Sequence, residues 1–496
     1  MSTGPDSTAD TPKPGWDRSA PRSNADHMYA WFQDRLDIQT LWNALFIRKI
    51  PFGVNLLYTL GFVSMALFIV QAVTGTILAL YYSPSPDHAY DSVEFMMTQV
   101  SFGQVIRGIH HWGASAMVVV VVLHMLVTFG MGAYKYPREV TWWVGIGLFA
   151  ATFAFGFTGY LLPWDEKAYW ATTVGTNMAG TVPFVGDFLE RVLRGGAQLG
   201  ALTLTRFYAT HVLILPMVLV SLVAVHVFLV VWQGVSTPPG LWDRALRRLR
   251  GAGRSSSAPE TAAEYHALYD DFKARGRRFF PDLIVEDALV STLVILAVIG
   301  FAVVFGTPLE GQADPTNTGY VPRPEWYFLF LFQLLKYFPG SLEWVGVAVL
   351  PALFFVFLAL LPLLDRGPRR SPRYRPISSA IAVISVLAVG GLTWQAVSTT
   401  PPALADDRNS RLTANEVIGR ELVDAQGCRS CHVIGGQGAN VGPSLDGVGG
   451  RRGAAYIHSY IEDPRNLNPS ATMPAFLPPL THEQVEDVTQ YLLTLR

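Results

Sequence analysis

Four histidines lie on two apolar stretches of this chain, His110 and His124 on one, His211 and His226 on the other. The first two are 14 residues apart and the second two 15. At roughly 100° of rotation per residue, 14 steps return to within about 40° of the starting direction and 15 to within about 60°. Each pair therefore shares one helix face, and its members stand about 21 Å apart along the axis at 1.5 Å per residue. An ionisable side chain in an apolar helix marks a functional position by default. Two such helices facing each other would hold two stacked bis-histidine haems, a path for electrons across a membrane. His111 adjoins His110, but 13 residues from His124 amount to a rotation of about 220°, so it faces away and His110 is the expected ligand.

The chain has two cysteines, both in Cys428-Arg429-Ser430-Cys431-His432, a C-x-x-C-H motif. In this motif the two thiols bond to haem vinyl groups and the histidine ligates iron. No other cysteine is present to complete a zinc site, and a disulfide framework is excluded. A sixth ligand should follow, and Met473 in Ala471-Thr472-Met473-Pro474 is the candidate, a core methionine being the plainer reading. A thioether ligand raises haem potential relative to a second histidine, which suits the high-potential end of an electron pathway.

The elements that must position these groups follow from composition. The chain is 50% hydrophobic and only 15% charged, which with repeated apolar runs predicts an integral membrane protein. Seven spans are expected near 54–82, 114–133 (reaching back to about Arg107), 141–162, 209–233, 287–306, 344–364 and 377–397. The expected fold is an all-α membrane protein: a four-helix di-haem bundle, three further spans and a C-terminal α-helical cytochrome c domain. Its expected divisions are a disordered polar tail (1–26), an amphipathic surface helix (27–50) and the four-helix unit (51–236). A basic linker (237–285), the three-helix unit (286–400) and the C-terminal domain (401–496) follow. The tail lacks an apolar signal core. Lys135 and Arg138, nine basic residues from Arg244 to Arg278, and five from Arg366 to Arg375 fall on one side of seven spans, while 83–106 carries none. That asymmetry puts the N-terminus in the cytoplasm and the C-terminal domain outside, in the periplasm of a bacterial inner membrane.

Gly61 and Gly75 on the first span, and Gly145 and Gly159 on the third, repeat the 14-residue period of the histidines. A missing side chain admits a flat macrocycle, although small residues also serve close helix packing. Together with Pro324-Glu325-Trp326-Tyr327, Gly159-Tyr-Leu-Leu-Pro-Trp164 and Thr205-Arg206-Phe207-Tyr208, residues 28–376 resemble cytochrome b of the cytochrome bc family, the quinol-oxidising complexes. The C-terminal domain resembles a monohaem class I cytochrome c. The resemblance implies that His110 and His211 bind the outer haem b and His124 and His226 the inner one. Arg107 and Arg206 would pair with propionates, or anchor the interface. It makes Glu325 the acceptor of a quinol proton, with Tyr327 beside it and Pro163, Trp164, Tyr169 and Trp170 in a pocket wall. Asp287 resembles a proton-donating aspartate at an inner quinone site, or is a favourable helix N-terminal charge.

A Rieske 2Fe–2S cluster needs two cysteines and two histidines of its own, so it is expected on a partner subunit. The resemblance also implies a homodimeric complex in membrane lipid, a downstream cytochrome c or terminal oxidase, and no nucleic-acid partner. Two positions depart from relatives: Val231 replaces a quinone-contacting histidine, and Thr59 a cysteine that attaches an extra haem. The leading expectation is a cytochrome b/c subunit of a proton-translocating quinol:cytochrome c oxidoreductase. The alternatives are a haem-bearing anchor for another dehydrogenase, which the Pro-Glu-Trp-Tyr motif disfavours, and a structural or sensory haem protein.

Overall fold

The computed structural model describes residues 23–251, 260–316, 320, 323–398, 413–434, 438–439, 441–469 and 471–495. The expected tail lies almost wholly outside these residues, as do much of the Gly/Ser/Ala-rich stretch 251–262 and the 399–412 connection. The protein is an all-α, multi-pass membrane protein. Seven helices are long and apolar enough to cross a membrane: Leu56–Ala79, Gly103–Gly130, Glu139–Tyr160, Ala201–Gln233, Phe279–Phe305, Val345–Leu364 and Pro376–Ser398. Helices satisfy every backbone donor and acceptor internally, which hydrocarbon surroundings demand. Among the described residues the sheet is one antiparallel pair, Lys49–Ile50 with Arg277–Arg278.

The four-helix and three-helix units form one continuous bundle. Val298 of the fifth span joins Val63, Leu67 and Val120 of the first two in a buried cluster. The sixth span meets the third at Trp142, Leu358 and Leu361. Pro362 lies inside that sixth helix and has no N–H to give the Leu358 carbonyl. The indole N–H of Trp142 donates to that carbonyl instead, at 2.8 Å, so the proline's vacancy becomes an interhelical bond.

On one face of the bundle the linker folds as two helices, Pro239–Arg250 and Ala262–Ala274, over an apolar core of Trp242, Leu246, Tyr265, Leu268, Tyr269 and Phe272. Several cations of this face are structural rather than free. Arg370 is fully buried, 3.9 Å over the Trp242 ring and 3.5 Å from Glu260. Lys135 closes on Asp365 at 2.6 Å, and Tyr134 hydrogen-bonds the same carboxylate. Burial pulls the Lys135 ammonium down to about 8.

The opposite face carries helices Ala89–Thr98, Glu166–Gly180 and Gly186–Arg194 and the loop after the fifth span. The C-terminal domain, with a core including Val423, Ile434, Val448, Ile461, Val485 and Leu492, sits against this face. Arg452 reaches Asp91 at 2.5 Å and also pairs with Glu94, its guanidinium between the Tyr90 and Tyr456 rings. Gly311 and Gly450 touch so closely that a Cβ on Gly311 would lie 2.3 Å from the Gly450 carbonyl oxygen. Breaking a largely buried ion pair from one side leaves uncompensated charge. Arg452→Glu should therefore raise amide hydrogen exchange across Ala89–Thr98 and Val448–Arg451 by at least about tenfold, equivalent to about 1.4 kcal/mol of local opening. Unchanged exchange would mean that these ion pairs do not hold the domain.

Candidate functional site

One cavity of about 1000 Å³ runs through the four-helix unit. His110, His124, His211 and His226 all line it, as do Gly61, Gly75, Gly145 and Gly159. The His110 and His211 rings face each other with centroids 6.4 Å apart. Two imidazole–metal bonds of about 2 Å each, with the ring radii added, span roughly 6 Å. The separation is that of two imidazoles sharing one metal atom.

The second and fourth spans carry different histidine spacings, and the fourth resolves the mismatch locally. Thr210–Ile214, around His211, is a π-helical turn. Such a turn absorbs one extra residue, so a 15-residue spacing there covers the reach of 14 in an α-helix. Pro216, just beyond, removes a donor from the ladder and favours the irregularity.

The glycines clear the imidazoles. A Cβ on Gly159 would lie 2.6 Å from His211 Cε1, one on Gly75 3.1 Å from His110 Cε1, and one on Gly61 3.2 Å from His124 Cε1. Gly145 faces His226 Cε1 at 3.5 Å. Sequence reasoning assigned the same positions to the approach of a macrocycle; the contact found is with the ring of the expected axial ligand.

Two residues that the sequence reading passed over fix the outer pair. Thr74 Oγ1 lies 2.9 Å from His110 Nδ1, and Thr158 Oγ1 3.1 Å from His211 Nδ1. Each hydroxyl already donates its proton to its own helix, Thr74 to Val70 at 2.7 Å and Thr158 to Ala154 at 2.8 Å. Each must then accept from the imidazole, which places the ring proton on Nδ1 and leaves the Nε2 lone pair for a metal. The signal in the sequence is the dipeptide Thr-Gly, present at 74–75 and 158–159.

At the outer end of the cavity stand Arg107, Asp165, Lys167, Glu310, Glu325 and Tyr327. Glu325 is paired with Lys167 at 2.9 Å. Tyr327 is buried, and a Cβ on Gly156 would lie 3.0 Å from its ring. Burial pushes the Asp165 and Glu310 carboxyls up. Pro163 lines the cavity, whereas Trp164, Tyr169 and Trp170 pack behind it with Leu199, Leu204 and Phe207. Trp164 holds φ at 53°, a left-handed conformation that costs a bulky residue about 1–3 kcal/mol and turns the chain under the cavity wall.

The two arginines part company. Arg107 lines the cavity and donates to the carbonyls of Thr307 at 3.0 Å and Pro308 at 3.1 Å. Arg206 does not line it. Its exposed guanidinium donates to the carbonyls of Arg191 and Val192, at 3.2 and 2.7 Å, capping the helix Gly186–Arg194. The open carbonyls of that helix end hold the Arg206 guanidinium.

At the inner end Arg48, Arg138, Ser236 and Asp287 line the cavity. Arg277 takes the neighbouring Glu286 at 2.5 Å, and Asp287 turns inward, buried, its Oδ1 without a hydrogen-bond partner among the described residues. Thr59, at the position of the missing cysteine, donates to the Leu56 carbonyl at 2.8 Å.

In the C-terminal domain Cys428 and Cys431 stand on a tight turn, Cys428–Ser430, and are not joined in a disulfide. His432 Nδ1 donates to the Pro443 carbonyl at 2.7 Å, leaving Nε2 for iron. Gly442 clears this ring too, its Cβ position 2.5 Å from His432 Cε1. Met473 lies part-buried in the loop ahead of the last helix, His482–Thr494.

Comparison with known proteins decides the family. Residues 47–234 match the family model described as cytochrome b/b6/petB, 312–405 that of cytochrome b(C-terminal)/b6/petD, and 417–496 that of cytochrome c. Cytochrome b6 of Prochlorococcus marinus (strain MIT 9515) is 41% identical over 216 residues, 44% of this chain and 99% of the relative. Cytochrome b6 of Synechococcus sp. (strain CC9605) matches to the same extent. The chain belongs to the cytochrome b family. A cytochrome c domain is fused to it. A solved structure titled hyperthermophilic respiratory Complex III aligns with TM-score 0.61 and 28% identity, over 75% of this chain and 92% of its own. This cytochrome b/c fusion is thus a bc-type electron-transfer subunit that carries haem b and haem c.

The residues present fit those groups. At His110 and His211 facing imidazoles at metal-sharing distance, with Nδ1 tied down and Cε1 cleared by glycine, suit b-type haem; at His124 and His226 the fit rests on the shared cavity and the glycine clearance. The paired thiols and a carbonyl-bonded histidine suit haem c. The glycine distances rank the outcome of substitution. Gly159→Ala should lower the b haem content of the purified chain, while Gly145→Ala, with ordinary van der Waals room, should leave it unchanged. Equal retention in both, read by pyridine haemochrome, would show that the glycines do not seat the ligands.

Proposed function

We propose that this chain is the cytochrome b/c subunit of a proton-translocating quinol:cytochrome c oxidoreductase. The observation that carries the proposal is a single cavity with facing imidazoles in its walls, a carboxylate pair partner at its outer end and a buried carboxylate at its inner end. In this reading His110 with His211 hold the outer haem b, His124 with His226 the inner one, and Arg107 meets an outer propionate. Cys428 and Cys431 would bond haem c, and His432 and Met473 would hold its iron. When bound, these haems supply one-electron transfer, while the 2Fe–2S cluster of a separate Rieske subunit is the first high-potential acceptor. The solved Complex III neighbour supports a multi-subunit setting, with a homodimer as the assembly and a cytochrome c or terminal oxidase downstream.

The chain's own residues handle the protons and the substrate. At the outer end a quinol hydroxyl gives its proton to the Glu325 carboxylate, and Tyr327 and Pro163 wall the ring. Haems held by the histidines of the bundle and by the C-terminal domain would supply the one-electron steps that separate this end from quinone at the inner end. There Asp287, buried and facing the cavity, is placed to donate a proton. The face bearing Lys135, Arg138 and the 366–375 arginines is the cytoplasmic side of a bacterial inner membrane, which leaves the C-terminal domain periplasmic.

The purified chain should give a haem b to haem c ratio of 2:1 by pyridine haemochrome. Glu325→Gln should keep that ratio and lower quinol oxidation by about 10²–10⁴, the usual worth of a positioned proton acceptor. A ratio of 1:1, or a Glu325→Gln enzyme with full turnover, would sink the assignment.

A further inference from the structure

The Glu325 carboxylate is not a free base. Lys167 Nζ lies 2.9 Å from its Oε1, and both side chains are largely buried, 28% and 14% exposed. The sequence reading gave Lys167 no role. It stands in the first turn of the helix Glu166–Gly180, whose N-terminus is capped by Asp165. The Tyr160 hydroxyl lies 3.4 Å from the Lys167 carbonyl and donates to the Arg323 carbonyl at 3.0 Å. That hydroxyl ties the first turn to the chain entering Pro324-Glu325. The ammonium is also 5.7 Å from the Tyr160 ring centroid.

We infer that Lys167 is a positioning residue for quinol oxidation, holding Glu325 as an aimed carboxylate and releasing it once it is protonated. This rests on the proposed role of Glu325. In the transfer a quinol O–H bond breaks, an O–H bond forms on the Glu325 carboxyl, and Lys167 keeps its own proton. Neutralising Glu325 removes the attraction that holds the two side chains together. Lys167 is not stranded by that loss, because its side chain keeps 28% of its surface exposed and its charge can be taken up by solvent. The protonated Glu325 is then free to leave the quinol.

The test uses the assembled complex with its Rieske partner and compares Lys167→Met, Lys167→Arg, Glu325→Gln and the Lys167→Met/Glu325→Gln pair. Lys167→Met should lower kcat by about tenfold and shift KM less than twofold, because the ammonium touches the carboxylate rather than the quinol. Lys167→Arg should restore at least half of the turnover. On the Glu325→Gln background Lys167→Met should cost nothing further, a non-additivity that a merely structural lysine would not give. If Lys167→Met fails to assemble with a 2:1 haem ratio, Lys167→Gln carries the same expectations. Full turnover in the lysine variant with Glu325→Gln impaired would overturn the inference alone. So would additive losses in the pair. Full turnover in Glu325→Gln would overturn the proposed function beneath it.

Discussion

The gap between two imidazoles across the helix bundle is the dimension that the membrane unit is built to hold. His110 and His211 face each other at 6.4 Å, and that distance is sensitive to helix approach, ring orientation and register at once. Approach is set by glycine: a methyl group at 159 would meet His211 at 2.6 Å. Orientation is set by Thr74 and Thr158, whose hydroxyls spend their protons on their own helices and so accept from Nδ1. Register is set by the π-helical turn at Thr210–Ile214. The threonine contacts satisfy a polar ring nitrogen inside apolar surroundings, where an unpaired one would be expensive. The recurrence of the glycine clearance at Gly442 and His432, in an unrelated soluble fold, points to the same steric need of an imidazole pressed against backbone.

Charge is distributed by the same logic. On one face Lys135, Arg370 and Arg375 are buried with Asp365, Glu260, Tyr134 and Trp242, which bind the linker helices to both parts of the bundle. Those contacts close a joint that relatives of the cytochrome b6 size do not contain, since they cover only 44% of this chain. On the other face the charges gather round the cavity mouth, where Lys167 and Arg107 stand among Asp165, Glu310 and Glu325. On the first face Lys135, Arg370 and Arg375 are held in ion pairs with buried carboxylates. On the second, Arg107 and Lys167 line the cavity.

Much of this could be read from residue order. Seven spans follow from apolar length, and the histidine faces follow from a 14-residue period, because helix rotation is fixed by backbone geometry. The family likeness to cytochrome b rested on short, rigid motifs, Pro324-Glu325-Trp326-Tyr327 above all. What could not be read was side-chain destination. Arg206 precedes His211 by five residues, yet an open helix end nearby takes its guanidinium. Trp164, Tyr169 and Trp170 look like a pocket wall but pack behind it, while Leu162, Pro163, Asp165 and Lys167 of that stretch face the cavity. Lys167 and Thr158 lie in stretches that the sequence reading did examine, and both were missed for one reason. Their partners, Glu325 and His211, are 158 and 53 residues away in the chain, and no local period reports a contact of that range.

The seat of the C-terminal domain constrains how electrons reach it. Arg452 is clamped by Asp91, Glu94 and two tyrosine rings, and Gly450 rests directly on Gly311. Gly311 in turn accepts from the Glu166 N–H at 2.9 Å, in the first turn of the helix that carries Lys167. Thr307, Pro308 and Glu310, from the same loop, line the outer cavity. The domain is thus fixed to the rim of this cavity. A domain held at both an ion-pair cluster and a backbone contact cannot shuttle without breaking them together, since buried ion pairs are costly to separate. In the proposed function the moving part must then be the Rieske partner, and the fused cytochrome c domain serves as a fixed acceptor. Under that proposal, fusion would place the acceptor on the cavity rim in a one-to-one ratio with the quinol site, so docking by diffusion would be needed only once on the way from quinol to haem c.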